Sequence, residues 1–469
     1  MGGIHLELIR GINKAVWGPP ILLLILGVGI LLTIRTRFAQ LRYLPQAFRA
    51  VFQKKGRVLT DGTTSFQALC TALAATVGTG NIAGVAGAIA IGGPGAVFWS
   101  WVSGFFGMSV KYSEAVLAVR FQERNRAGER VGGPMFVIRR ALPGRWQVMA
   151  PIYCVFGVVA AFGVGNAAQV NAVVGTLRQA VGEEGPASLE LLTGIILAAL
   201  VGSTLSGGAG KVGRAAEKLI PFAAVVYVIM GTVVLLLNSS AVPGVFLSII
   251  RGAFQPSAVT GGIVGSSFQC LRVGISRGVF TNEAGMGTAA IAHGAAATAH
   301  PGDQGLMGIL EVFIDTILIC TLTALVILCS GVPITYGVDI GAELTSQAFQ
   351  RVLGNWAGTV LAIEVCLFAF ATILGWGLYG GRCVQFLFGD KAWPVFGVIQ
   401  TVMVALGAVI RTDLVWLLAE VFNGLMAIPN LIALAVLIPE TVALTISFDK
   451  KRSPRSNRGD QIRSDPPAG

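Results

Sequence analysis

The sequence predicts an all-α integral membrane protein of eleven transmembrane helices, in which one extra N-terminal helix precedes an inverted repeat of five helices and five. Three observations carry that prediction. Of 469 residues, 54% are hydrophobic and only 12% are charged, against roughly 25% charged in an average soluble chain. Uncharged runs such as Ile21–Ile34 and Val225–Leu237 have the composition that lipid demands. Two stretches, five spans apart, carry glycines and amides at the depth where only apolar side chains are expected.

The elements follow in order. Windows of about 20 residues place spans near 19–34, 66–91, 95–121, 147–177, 188–205, 216–238, 262–297, 304–331, 356–388, 392–410 and 413–446. Lys14 precedes the first apolar core, but Arg35 and Arg37 stand where a cleaved signal would have small residues. The segment therefore reads as a retained helix. Tyr43–Phe52, inside the basic 36–65 segment, reads as an amphipathic helix, and Gly132-Gly-Pro marks a turn in the 122–146 segment. The chain divides into 1–60 (extra helix and basic cytoplasmic segment), a core over 61–448 with halves near 61–240 and 255–446, and a Ser-, Pro- and Arg-rich tail over 449–469 that reads as disordered.

With the N-terminus outside, most of the 34 lysines and arginines fall in inner segments, including the clusters Arg35–Arg57, Arg120–Arg145 and Lys450–Arg463. The positive-inside rule thus sets a multi-pass protein of the cell membrane with a cytoplasmic C-terminus. The net charge of +11 is accounted for by topology and by attraction to anionic membrane lipid, so no nucleic-acid partner is expected. The seven cysteines form no CxxC pair and read as small buried hydrophobes. Three histidines without a His-Glu-x-x-His pattern, and no Gly-x-Ser-x-Gly elbow, argue against an enzyme. Gly207-Gly-Ala-Gly-Lys-Val-Gly has Val212 where a phosphate loop needs Ser or Thr, so no nucleotide or other cofactor is expected.

Function is expected at the two breaks. In the second span, Thr71-Ala-Leu-Ala-Ala-Thr-Val-Gly-Thr-Gly-Asn puts Gly78, Gly80 and Asn81 at mid-depth, and the seventh does the same with Thr281, Asn282, Glu283, Gly285 and Gly287. Glycine at that density unwinds a helix, and the freed backbone groups need partners other than lipid. Small-residue packing accounts for Gly84 and Gly87. It does not account for amides and a carboxylate in hydrocarbon. Once the extra helix is set aside, each break opens a group of five spans, as in secondary transporters built on inverted repeats. Carbonyls of Ala74, Ala75 and Val77 suit a cation or ammonium group, and N–H groups near Gly80 and Asn81 suit a carboxylate. A small polar solute, with or without a cation, is as far as that reasoning reaches. A passive channel is the less favoured alternative, because channel filters usually repeat symmetrically.

These segments also resemble the alanine/glycine:cation symporters. The resemblance rests on Ala75-Thr-Val-Gly-Thr-Gly-Asn-Ile-Ala-Gly-Val-Ala, Gly92-Gly-Pro-Gly-Ala-Val-Phe-Trp-Ser-Trp-Val, Gly107-Met-Ser-Val-Lys-Tyr-Ser-Glu, Gly132-Gly-Pro-Met and Ser276-Arg-Gly-Val-Phe-Thr-Asn-Glu-Ala-Gly-Met-Gly. Phe313-Ile-Asp-Thr, Thr372-Ile-Leu-Gly-Trp and Asn423-Gly-Leu-Met-Ala-Ile-Pro-Asn extend it to about residue 440. It implies the leucine-transporter-like fold and import of alanine or glycine with sodium, or with protons as in some members. It further implies a substrate pocket of Gly78, Thr79, Gly80, Asn81, Gln169, Thr281, Asn282 and Trp376, and a sodium ion held by Ala74 and Val77 carbonyls and the Thr372 hydroxyl. The family pattern has an acidic residue after a Tyr-Tyr-Gly run, where this chain has Gly381, which leaves the coupling ion open.

The remaining polar residues have plainer readings. Gln169 and Asn166 can simply hydrogen-bond between helices. Lys111 and Glu114 are three apart on one helix face and are expected to pair with each other. Glu311 and Asp315 need a cation, for which Lys111, Arg272 and Arg277 are candidates, and such a pair could form a gate. Glu364 has no partner visible in sequence.

Overall fold

The computed structural model describes residues 2–52, 63–181, 188–338, 341–409 and 413–452. Two prolines start α2 (Pro19–Arg35) where missing N–H groups cost nothing, directly after α1 (Gly2–Val16). Helix α3 (Ala39–Phe52) buries Ala39, Tyr43 and Ala47 at four-residue spacing while Leu41 and Phe48 stay exposed, so it is amphipathic as expected and begins a turn earlier. A Thr64–Gln67 capping box opens α4 (Ser65–Thr76). A π-helical turn over Gly80–Gly84 then leads into α5 (Val85–Gly92), whose axis is bent 51° from that of α4.

Helix α6 (Gly95–Arg120) is followed by a hairpin of β1 (Glu123–Arg124) with β2 (Arg130–Val131), by α7 (Pro134–Ala141), and by α8 (Met149–Phe162). A second π-helical turn over Gly163–Ala167 joins α8 to α9 (Ala168–Val181). The first half closes with α10 (Ser188–Leu205) and α11 (Gly208–Leu237). Short helices α12 (Val242–Phe254) and α13 (Pro256–Val259) connect it to the second half.

There α14 (Ser267–Asn282) and α15 (Thr288–His293) are separated by an unwound stretch. Helix α16 (Pro301–Val312) runs through a π-helical segment over Phe313–Cys320 into α17 (Thr321–Cys329). Then come α18 (Ala342–Leu353), α19 (Trp356–Phe388), α20 (Ala392–Gly407), α21 (Asp413–Val436) and α22 (Ile438–Arg452). The expected tail is helical as far as Arg452, and its remainder, like 53–60 of the N-terminal segment, lies outside the described residues.

Five helical stretches among the described residues are long and apolar enough to cross a membrane, and seven if each of two bent pairs counts as one span. The chain is therefore a multi-pass membrane protein. Eleven were expected, and the shortfall has physical causes. Leu189–Leu205 and Ala392–Gly407 are apolar but short, α6 contains Lys111 and Glu114, and α14 carries Arg272 and Arg277 before its break.

Helix α6 lies at the centre of the second-half packing, against α14, α16, α12 and α2, while α19 lies against α4, α8, α9 and α11. Glycine makes these approaches possible. A Cβ at Gly308 of α16 would meet the Lys111 carbonyl oxygen at 2.8 Å, and one at Gly375 of α19 would meet the Ala75 backbone at 3.1 Å.

Candidate functional site

At the first break, Val77 leaves the helical conformation (ψ 103°). The Gly78 N–H then donates to Asn81 Oδ1 at 2.9 Å, so the donor that a continuous helix would offer the Ala74 carbonyl is turned away. Asn81 donates onward from Nδ2 to Asp315 Oδ1 at 2.7 Å. Thr79 donates to Gln169 Oε1 at 3.0 Å, and Gln169 is anchored by its Nε2 on the Val164 carbonyl, beside the second π-helical turn.

The second break is made by backbone that only a special environment tolerates. Glu283, a non-glycine residue, sits at φ +53°, and Gly285 and Gly287 sit at +93° and +77°; a left-handed conformation in a buried carboxylate residue is costly and needs surrounding support. Glu114 of α6 supplies it. Its Oε1 accepts from the N–H groups of Gly285 (3.0 Å) and Gly287 (3.1 Å) and from Asn430 Nδ2 of α21 (2.7 Å). The Thr288 hydroxyl, opening α15, donates to Glu283 Oε2 at 2.5 Å.

The two breaks are joined through a third element. Asn282 Nδ2 donates to Thr316 Oγ1 (3.2 Å), Thr316 donates to Asp315 Oδ2 (2.8 Å), and Asp315 accepts from Asn81. All four residues are buried. Closeness is direct as well, since a Cβ built at Gly80 would lie 3.4 Å from the Thr281 methyl group. That methyl is also near Gly84, so the small-residue pattern brings the breaks together and is not an alternative to function.

On α19, Thr372 faces the first break: a Cβ at Gly78 would meet its Oγ1 at 2.7 Å. The Thr372 hydroxyl is buried without a hydrogen-bond partner among the described residues, a costly state. The orphaned hydroxyl faces the break, where the Ala74 carbonyl loses its usual helical donor, and both are hard oxygen donors, the kind that small cations prefer. Trp376 lies one helical turn further along α19. Its side chain covers Gly165, where a Cβ would meet the Trp376 Cβ at 2.2 Å, and its ring makes an edge contact with Tyr379.

The geometry thus gathers Gly78, Thr79, Gly80, Asn81, Gln169, Thr281 and Thr372 around the first break. The Asn282 side chain reaches Asn81 through Thr316 and Asp315, and Trp376 packs on the π-helical turn that precedes Gln169. Missing from the expected pocket were Asp315 and Thr316 as the bridge, and Glu114 and Asn430 as the clamp. The expected Lys111–Glu114 pair does not form. Lys111 pairs with Glu311 at 3.2 Å, Glu311 also meets His293 Nε2 at 2.8 Å, and Gln304 closes the row on His293 Nδ1. Glu114 is free of that pairing because two N–H groups of the unwound backbone and the Asn430 amide offer it three better-placed donors. The sequence signal for this was the run of polar residues on α6 and α16, which pairwise spacing rules could not connect across helices.

A buried pair of broken helices held together by side chains from neighbouring helices defines a membrane transporter of the discontinuous-helix class. The chain belongs to the sodium:alanine symporter family, whose model matches residues 3–462. It is 41% identical over 451 residues to the sodium/alanine symporter AgcS of Methanococcus maripaludis, covering 95% of this chain and 98% of that one. It is 36% identical to the probable sodium/glutamine symporter GlnT of Bacillus subtilis, over 97% of this chain and 92% of that one. Its fold is that of MhsT, solved in complex with L-phenylalanine, with a TM-score of 0.56 at 14% identity over 82% of this chain and 98% of that one.

Proposed function

We propose that this chain is a secondary active importer that couples inward sodium movement to uptake of a small neutral amino acid, alanine or glycine, by alternating access. The observation that carries the reading is the first break: an unwound buried backbone whose Gly78 N–H turns away from the Ala74 carbonyl, faced by the Thr372 hydroxyl, which has no hydrogen-bond partner among the described residues. Kinship with a sodium/alanine symporter at 41% identity supports the substrate class.

In this reading the substrate carboxylate meets N–H groups at the start of the Gly80–Gly84 turn, where the helix dipole favours negative charge. Asn81, Thr79 with Gln169, and Thr281 with Asn282 orient it, and Trp376 walls the pocket. Sodium is held by the Ala74 and Val77 carbonyls and Thr372. Eleven spans are proposed, with the five long apolar stretches, the two bent pairs, the short helices α10 and α20, the charged helix α6 and the broken α14–α15 each crossing once, the N-terminus outside and the C-terminus cytoplasmic. The inverted repeats then rock about the site while Glu114 keeps the second break open.

Energetically, one inward charge at about 100 mV contributes ~2.3 kcal/mol and a tenfold sodium gradient ~1.4 kcal/mol. Together these support roughly 500-fold accumulation of a neutral zwitterion. Proton coupling is the second reading, and its one specific support is the buried Asp315 carboxyl at the bridge between the breaks. The test is uptake of radiolabelled alanine into proteoliposomes under a sodium gradient, a proton gradient or neither. Sodium-driven accumulation is expected. Accumulation under protons alone would transfer coupling to Asp315, and none under either gradient would remove alanine as substrate.

A further inference from the structure

Cations are scarce on the side of the membrane assigned as outer, yet Lys14, Arg272 and Arg277 line one cavity there. The cavity, of about 170 Å³, lies between α1, residues 272–280 of α14, Glu420 near the start of α21 and the end of α5 at Ile91. Its anionic wall is Glu420, whose Oε2 accepts from Asn13 Nδ2 at 2.7 Å while the Glu420 carbonyl accepts from Trp17 Nε1 at 3.1 Å. The segment outside the two five-helix halves therefore builds a wall of the cavity and ties it to α21. Neither Lys14 nor Arg272 forms an ion pair with a described residue. Lys14 is exposed at the rim, whereas Arg272 is half-buried on a membrane helix, where a cation with no ion-pair partner among the described residues is costly unless something else neutralises it.

The cavity shares a lining residue with the smaller one beside the breaks. Arg277 borders both this cavity and the small one that contains Thr281, Thr316 and Cys320, and Phe280 lies in its wall two residues before Asn282.

We propose that this vestibule is a second, weaker binding station for the same class of solute, an α-amino acid zwitterion. Lys14 and Arg272 take its carboxylate, Glu420 faces its ammonium group, and Arg277 stands at the passage to the central site. Lys14 and Arg272, neither in an ion pair with a described residue, raise the local concentration of a carboxylate ligand in such a recess. No sodium ligand is among these groups, so binding here is independent of sodium. The proposal rests on the amino-acid reading and on the outward N-terminus.

The test uses purified full-length protein in nanodiscs and saturation-transfer NMR with alanine as the probe, in choline buffer and in sodium buffer. In choline, the wild type shows weak alanine contact that propionate competes away and that fades as salt is raised. The double variant Lys14→Gln/Arg272→Gln loses that signal but keeps the sodium-dependent one, and its uptake KM rises three- to tenfold with the maximal rate unchanged. Lys14→Glu, altering one exposed side chain on α1, lowers the choline signal without threatening the fold, and Lys14→Arg restores it. No choline signal in the wild type, or an equal one in the double variant, overturns the proposal. Competition by chloride but not by propionate also overturns it and makes the vestibule a halide site. Failure of the transport reading looks different: the sodium-dependent signal is then absent while the choline signal still responds to Lys14.

Discussion

Thr372 is the residue at which the proposed ion site can be tested most directly. It is buried beside Gly78 and makes no hydrogen bond among the described residues, a state that costs about 1–3 kcal/mol unless a ligand repays it. Thr372→Val keeps shape and removes the oxygen. It is expected to raise the sodium concentration for half-maximal uptake at least tenfold, with Thr372→Ser near wild type, as read from alanine uptake across a sodium series. An unchanged sodium dependence in Thr372→Val would remove this residue from the ion site. Gly381 stands where the family pattern has an acidic residue. At that position a Cβ would meet the Trp393 ring at 2.4 Å, and Arg382 stacks over that same ring at 5.6 Å. Gly381→Asp should therefore cost about 1–3 kcal/mol by overpacking, seen as a lowered unfolding temperature in detergent, and should not create new ion coupling.

At the scale of elements, each break depends on a side chain from another helix. A broken helix in lipid is viable only if its freed backbone groups find partners, and Glu114 satisfies two of them together with the Asn430 amide. Glu114→Ala strands all three donors in a buried place. Loss of more than nine-tenths of uptake is expected, with the unfolding temperature lowered by several degrees; Glu114→Gln, which keeps one acceptor oxygen, should recover most of the stability. Equal stability in both variants would mean that Glu114 does not clamp the break. The existence of both breaks was legible because glycine, asparagine and glutamate stand out against an apolar background. The clamp was not legible, since Glu114 and Gly285 are 171 residues apart in sequence and a local rule offered Lys111 as a nearer partner. The same holds for the bridge: Asp315 was recognisable as an unusual buried acid, but its partner Asn81 is 234 residues away.

For the whole molecule, charge asymmetry and hydropathy gave the order of the helices, with α19 matching its expected bounds. Where expectation and apolar length part company, as at α6 and α14, the helices are shielded from lipid by their neighbours and can afford charged residues. Orientation follows from the same asymmetry and can be tested apart from transport. All seven native cysteines are buried or half-buried, so an introduced exposed thiol reports its own side. Ala127, in the basic hairpin loop, and Ser240, after α11, are both exposed. With the N-terminus outside, a membrane-impermeant maleimide should label Ser240→Cys in intact cells and Ala127→Cys only after lysis. The reverse pattern would place the clusters around Arg120–Arg145 on the outer face against the positive-inside rule. It would also turn the cavity of Lys14 and Arg272 towards the cytoplasm, so that a carboxylate-collecting vestibule would serve release in place of capture.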